Sequence, residues 1–128
     1  MAEESNIYVV DDDSSSRKGL ARLLRAAGYN VHSFDSAICF LRSLKPDLSG
    51  CLILDLRMPE MTGEGLASEL RNRETNVNII VVSGNDDIET RKIAKSIGAV
   101  GFFRKPVDGT ALIDAINWIL KAAKENNH

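Results

Sequence analysis

Residues 51–63 read CLILDLRMPEMTG, an apolar run that stops at the carboxylate of Asp55. Four consecutive apolar residues before a polar one are typical of a short strand buried on both faces. An acid in that position either starts a turn or stands at a functional edge of a sheet. The stretch by itself leaves both interpretations open, and the segments on either side of it decide between them.

The composition indicates one globular domain. The chain has 128 residues, of which 44% are hydrophobic and 27% charged, so we expect a single domain over residues 1–128 that folds without disulfides. Its net charge of -2 provides no long-range attraction for nucleic acid. No apolar run approaches the ~20 residues of a membrane span, and we expect a cytoplasmic protein. Cys39 and Cys51 lie in apolar segments without CxxC spacing, which predicts two reduced core thiols.

Five short apolar runs alternate with helical patterns along the chain. The runs are IYVV from residue 7, VHSF from 31, CLIL from 51, IIVV from 79 and GFF from 101. Short connections between Val- and Ile-rich strands predict an α/β fold, a parallel sheet with helices on both faces.

Serine, aspartate, glycine and proline residues between the apolar runs predict where the helices begin and end. The first is expected from Ser14–Ser16 to a left-handed cap at Gly28, and the second from Ser36 to a point before Pro46. We expect the third over about 62–72, the fourth from Asp86 or Asp87 to Ile97, and the last from just after Pro106 to about Lys124.

Polar residues fall where the predicted strands end, which is where open α/β sheets bind ligands. The segments at the strand ends are Asp11, Asp12 and Asp13 after the first strand, Asp55 after the third, Ser83-Gly84 after the fourth, and Arg104-Lys105-Pro106 after the fifth. Each also has a structural interpretation, since Asp13 suits a helix N-cap and Ser83 could bind its own backbone. Their coincidence at one edge favours a functional site.

The chemistry expected at this edge follows from charge. Several carboxylates brought together repel one another, and such a cluster is best stabilised by a hard divalent cation such as Mg²⁺. Mg²⁺ beside an ammonium and a hydroxyl suits phosphoryl transfer. Asp55 is the best-placed nucleophile for an aspartyl phosphate, with Mg²⁺ and Lys105 neutralising the transferred oxygens.

The motifs VVDDD, LDLRMPEMTG, VVSG and FFRKP, in that order, resemble the receiver domain of bacterial two-component response regulators over about residues 6–122. The resemblance implies a (βα)5 doubly wound, flavodoxin-like three-layer sandwich with strand order 2-1-3-4-5. It also implies that Asp55 accepts phosphate, and that Asp11, Asp12, Asp55 and the backbone carbonyl of Arg57 hold Mg²⁺. Ser83 and Lys105 would contact the phosphoryl group, and Phe102 would occupy the aromatic switch position.

The same resemblance implies the partners. A sensor histidine kinase or a histidine phosphotransfer protein would supply the phosphoryl group. An output domain, a partner protein or a second copy of the chain would bind the face made by the fourth helix, the fifth strand and the fifth helix. Trp118 lies off the apolar stripe of the last helix, among alanines, and is a candidate anchor on that face. It could instead cover a neighbouring helix.

Two other functions fit parts of the pattern. IYVVDDDS also matches the motif of haloacid-dehalogenase-type phosphohydrolases, with Asp11 as nucleophile and Asp13 as acid/base, but this leaves Asp55 without a role. A flavodoxin-like FMN site at Ser14–Ser16 would use a helix N-terminus for phosphate, but three preceding aspartates would repel it.

Overall fold

The computed structural model describes residues 6–44, 49–56, 63–73 and 75–125. Strands and helices alternate in that part of the chain. In order they are β1 (Asn6–Val10), α1 (Ser14–Ala26), β2 (Asn30–Phe34), α2 (Ala37–Arg42), β3 (Ser49–Asp55), α3 (Gly63–Asn72), β4 (Asn76–Ser83), α4 (Ile88–Ser96), β5 (Gly101–Arg104) and α5 (Gly109–Glu125). None of the described helices is long and apolar enough to cross a membrane.

The sheet is parallel and its strand order is β2-β1-β3-β4-β5, as the resemblance implied. β3 lies at its centre, where Leu54 pairs with Val10 of β1 and Val81 of β4. Because all five strands run in the same direction, the residues that follow them meet at one edge. That edge carries the candidate site.

Alternating side chains of the strands build two cores, one on each face of the sheet. Cys51 and Ile53 contribute to the core shared with α1 and α5, while Leu52 and Leu54 contribute to the core shared with α2, α3 and α4. All four are fully buried. A strand that is apolar on both sides therefore occupies the middle layer of a three-layer sandwich, as its continuous apolar sequence predicted.

The helix boundaries follow local signals. The side chains of Asp13, Ser36 and Asp87 accept hydrogen bonds from backbone N–H groups at the starts of α1, α2 and α4. Gly28 has a φ of 97°, in the left-handed region that the sequence predicted after the first helix. Pro46, which was expected to limit the second helix, lies outside the described residues, and α2 already ends at Arg42.

One prediction about the core was wrong. Cys51 is buried, but Cys39 is exposed. On α2 the buried positions are Ala37, Phe40 and Leu41, which share the face toward the sheet. Cys39 falls on the other side of this short helix, because an apolar segment of a helix need not be buried all round.

Candidate phosphoryl-transfer site

Four strands deliver one polar residue each to the carboxyl edge of the sheet. Asp11 follows β1 directly, Asp55 ends β3, Ser83 ends β4 and Lys105 follows β5. Asp11, Asp55 and Ser83 are buried. Lys105 N–H donates to the carbonyl of Ser83 at 2.8 Å, which fixes the segment after β5 against β4. The structure thus brings together the residues that the sequence placed at separate strand ends.

Lys105 joins two of the buried carboxylates. Its Nζ donates to Asp11 Oδ2 at 2.9 Å and to Asp55 Oδ2 at 3.1 Å. About a fifth of the Lys105 side chain is exposed, so the ammonium lies at the boundary between the buried acids and solvent. The ammonium thereby offsets the repulsion between the two carboxylates and the unfavourable free energy of burying their charges.

The pKa values reflect this balance. Burial alone would raise the pKa of Asp11, but hydrogen bonds from Lys105, Ser16 and the Asp13 backbone outweigh it, and the pKa lies below its usual value. Burial by itself would lower the pKa of Lys105, because it opposes the charged form, but the two carboxylates raise this pKa above its usual value. Asp11 and Lys105 are therefore both ionised at neutral pH.

Asp12 completes an acidic group that fits a divalent cation. Asp11, Asp12 and Asp55 each offer one carboxylate oxygen, and these oxygens lie within 4.8 Å of one another. Mg²⁺ prefers oxygen ligands at about 2.0–2.1 Å in an octahedron, which places neighbouring ligands about 3 Å apart and opposite ligands about 4 Å apart. The three carboxylates are close to that spacing. Asp12 is exposed, so the group opens to solvent on its side.

Asp13 has a different role from its two neighbours. Its Oδ1 accepts a hydrogen bond from Ser15 N at 3.1 Å, and it caps α1. Among the described residues it does not belong to the acidic group that could hold a cation. Arg57, whose carbonyl the resemblance added to the metal ligands, lies outside the described residues.

Supporting contacts around the site were not predicted from the sequence. Arg17 Nη1 donates to the Asp11 carbonyl at 2.9 Å, and Asp13 N donates to Asp11 Oδ1 at 3.0 Å. Both hold Asp11 in place. On the other side of the site, Arg91 lies over the Phe102 ring and pairs with Asp86. No helical spacing in the sequence marks these contacts, because Asp86 and Arg91 are five positions apart and not the three or four of a helical pair.

Fold and site together define a doubly wound α/β domain with an acidic cluster, bridged by a lysine, at the carboxyl edge of its sheet. The sequence profile of the response regulator receiver domain matches residues 7–117. The chain belongs to this family, whose members are the phosphorylation-dependent switches of two-component signalling. It is a family of regulatory domains and not an enzyme family, and nothing in these similarities supports a haloacid-dehalogenase-type phosphohydrolase.

Several curated relatives are similar over nearly all of the chain. Response regulator protein TmoT of Ectopseudomonas mendocina is 42% identical over 127 residues, which cover 97% of this chain and 58% of TmoT. TodT of Pseudomonas putida is 40% identical over 121 residues, covering 94% of this chain and 53% of TodT. The chain thus spans a little over half the length of these relatives.

Solved structures agree with the sequence comparison. The structure of response regulator StyR has a TM-score of 0.86 and 40% identity, with 97% of this chain and 63% of that chain covered. The crystal structure of FixJ-N has a TM-score of 0.82 and 35% identity, with 91% of this chain and 93% of that chain covered.

Proposed function

We propose that residues 1–128 form one receiver domain that accepts a phosphoryl group on Asp55. The observation that carries this proposal is the position of Asp55 at the end of the central strand, hydrogen-bonded to Lys105 and within reach of Asp11 and Asp12. A carboxylate in this position has both a cationic partner for the transferred oxygens and an acidic group able to hold a metal ion.

The transfer follows from the groups around Asp55. A carboxylate oxygen of Asp55 forms a bond to phosphorus as the bond from phosphorus to the donor breaks, and the electron pair of that bond stays with the donor. Lys105 shifts one of its hydrogen bonds to a phosphoryl oxygen, and the Ser83 hydroxyl donates to another. Mg²⁺ held by Asp11, Asp12, Asp55 and the Arg57 carbonyl would neutralise charge on the transferring group.

Histidine kinases supply the phosphoryl group to response regulators, and response regulators act through output domains. For this chain we propose a sensor histidine kinase or a histidine phosphotransfer protein as the donor. We further propose that the same site catalyses slow loss of the phosphoryl group to water, and that the domain works in the cytoplasm.

The signal is proposed to leave through the face made by α4, β5 and α5. Ser83 ends β4, and Phe102 lies in the neighbouring strand β5 opposite Val81, two residues before Ser83. A movement of the Ser83 hydroxyl toward the phosphoryl group would free space that the Phe102 ring can enter. Trp118 on α5 is 73% exposed, and Val100 just before β5 is 55% exposed. Large exposed apolar side chains on this face suit an output partner or a phosphorylation-dependent homodimer.

Incubation with acetyl phosphate and Mg²⁺, followed by mass spectrometry, tests the assignment of Asp55. We expect one phosphoryl group on the parent chain and on Asp13→Ala, and none on Asp55→Asn. Labelling that survives Asp55→Asn and disappears in Asp11→Asn would transfer the nucleophile to Asp11 and overturn the proposal.

A further inference from the structure

Phe102, the aromatic residue of the proposed switch, is covered by a cation. The ring is half-buried and packs against the core shared with α4. The guanidinium carbon of Arg91 lies 4.8 Å from the ring centroid. A cation over an aromatic face is attracted by the negative charge density of the ring, so this contact favours the ring position seen here.

Arg91 is itself restrained by an acid at the start of α4. Its Nε donates to Asp86 Oδ1, and the Asp86 carboxylate accepts with a pKa lowered mainly by that hydrogen bond. A free arginine side chain on an exposed helix samples many rotamers. An ion pair to Asp86 reduces that freedom and keeps the guanidinium where it can cover Phe102.

Asp86 belongs to a loop that is tied to Ser83. Asn85 N donates to Ser83 Oγ at 3.1 Å, and Asp87 N donates to Asn85 Oδ1 at 3.2 Å. A displacement of Ser83 Oγ toward Asp55 therefore pulls on Asn85 and, through the backbone, on Asp86. The contacts form a continuous chain from Ser83 through Asp86 and Arg91 to Phe102.

We propose that Arg91 is a positioning residue that, held by Asp86, keeps the Phe102 ring in its unphosphorylated position. Phosphorylation of Asp55 draws the Ser83 hydroxyl toward the phosphoryl group, and the loop that carries Asp86 shifts with it. Arg91 then leaves the ring as Phe102 moves inward. This rests on the proposed function, since it assumes that the Ser83 hydroxyl responds to a phosphoryl group on Asp55. Asp86 and Arg91 thereby set how much of the chain is ready for phosphorylation before any donor arrives.

The size of the effect follows from population arithmetic. A contact that stabilises only the resting conformation lowers the fraction of the competent conformation by the Boltzmann factor of its free energy. An exposed cation–π contact corresponds to a factor of roughly two to five. Removal of Arg91 or Asp86 should raise the competent fraction, and with it the initial rate of phosphorylation by a small donor, by that factor.

A first experiment measures the restraint without any phosphoryl donor. In NMR spectra of the parent chain, the Arg91 Hδ and Hε signals should lie upfield because of the Phe102 ring current. Asp86→Asn should reduce that upfield shift by half or more. Glu69→Gln, which breaks the exposed pair of 3.4 Å between Glu69 of α3 and Arg73 just after it, is the matched control and should leave the Arg91 signals unchanged. An unchanged Arg91 shift in Asp86→Asn would overturn the proposal.

A second experiment measures the consequence for phosphorylation by acetyl phosphate and Mg²⁺. Arg91→Ala and Asp86→Asn should each be labelled about two to five times faster than the parent. Lys92→Ala, which also removes an exposed positive charge from α4, should match the parent. The two Arg91-pair variants remove opposite charges, so a common increase cannot come from attraction of the anionic donor. Parental rates in both variants, or a similar increase in Lys92→Ala, would overturn the proposal.

The two experiments fail separately. If the parent chain is not labelled on Asp55, the proposed function is wrong, whereas the ring-current measurement still decides whether Asp86 holds Arg91 on Phe102.

Discussion

Lys105 Nζ lies 3.1 Å from Asp55 Oδ2 and, at the same time, 2.9 Å from Asp11 Oδ2. The ammonium therefore bridges the end of the central strand and the end of its neighbour β1. In this position it compensates two buried carboxylates while no phosphoryl group is present, and it can turn to a phosphoryl oxygen when one arrives. The same residue thus contributes to the stability of the resting domain and to its chemistry.

Lys105→Met should destabilise the domain in EDTA at pH 7 by about 1.5–3 kcal/mol, because it leaves buried acids without a charged donor. The pKa of Asp11 is lowered on folding, so its stabilising contribution is present above its usual value of 3.8 and disappears as the pH falls through the folded value. The difference between variant and parent should therefore shrink in acid.

Urea unfolding at several pH values measures that difference. Lys95→Met removes an exposed lysine from α4 and should stay within about 0.5 kcal/mol of the parent. A Lys105→Met effect that is small, or that grows as the pH falls below 4, would show that the ion pairs do not stabilise the fold.

Asp12→Ala should abolish Mg²⁺ binding in calorimetric titration, because it removes one of the three carboxylates of the acidic group. In EDTA the same variant should be slightly more stable than the parent, by about 0.3–0.5 kcal/mol, since the remaining acids repel less. Asp13→Ala is the matched control. This variant should be less stable than the parent by about 1 kcal/mol, because it loses the N-cap of α1. It should bind Mg²⁺ like the parent. Equal Mg²⁺ affinities in both variants would place the metal elsewhere.

Gly50→Ala should destabilise the domain by about 1–3 kcal/mol. Gly50 has a φ of 116°, and an added Cβ would lie 2.2 Å from the carbonyl oxygen of Asn6. Gly19→Ala should instead stabilise the domain by about 0.5–1 kcal/mol, because that glycine lies within α1 and has open space where a Cβ would be added. Thermal unfolding of the two variants gives the comparison, and a tolerated Gly50→Ala would contradict the close approach of β3 to β1.

The two thiols should react at very different rates. Cys39 is exposed, whereas burial raises the pKa of Cys51 to about 12 and keeps its thiol neutral. Ellman's reagent at pH 8 should therefore modify one thiol in the folded chain and two in denaturant. Cys39→Ser should remove the fast reaction and Cys51→Ala should not. Fast modification of Cys51 in the folded chain would contradict its position in the core.

Trp118 fluorescence and self-association should respond to phosphorylation. Trp118 is 73% exposed on α5, so a partner or a second copy of the chain that binds this face would change its surroundings. Analytical ultracentrifugation with and without acetyl phosphate should show association of the parent that is reduced at least tenfold in Trp118→Ala. Cys39→Ser, on the distant helix α2, serves as the control. If Trp118→Ala associates like the parent in both states, this face of α5 does not belong to the interface.

Much of this protein was determined by local features of its sequence. The apolar run before Asp55, the caps Asp13 and Ser36, and the left-handed position of Gly28 are properties of a few consecutive residues, and each was found where it was predicted. The fourth helix also begins close to Asp86 and Asp87, where its start was predicted. The order of the strands came from the family resemblance, because periodicity does not record which strands are neighbours. The polar residues at the strand ends had already indicated the edge of the sheet that carries the site.

Only the tertiary structure decided which side chains meet. Lys105 and Asp11 are separated by 94 positions, and their hydrogen bond depends on how β5 and β1 are placed in the sheet. The exposure of Cys39 depends on which side of α2 faces the core, and the cover of Phe102 by Arg91 depends on the distance between α4 and β5. Local patterns specify elements because hydrogen bonds and caps join near neighbours, whereas these contacts arise only after the elements have packed together.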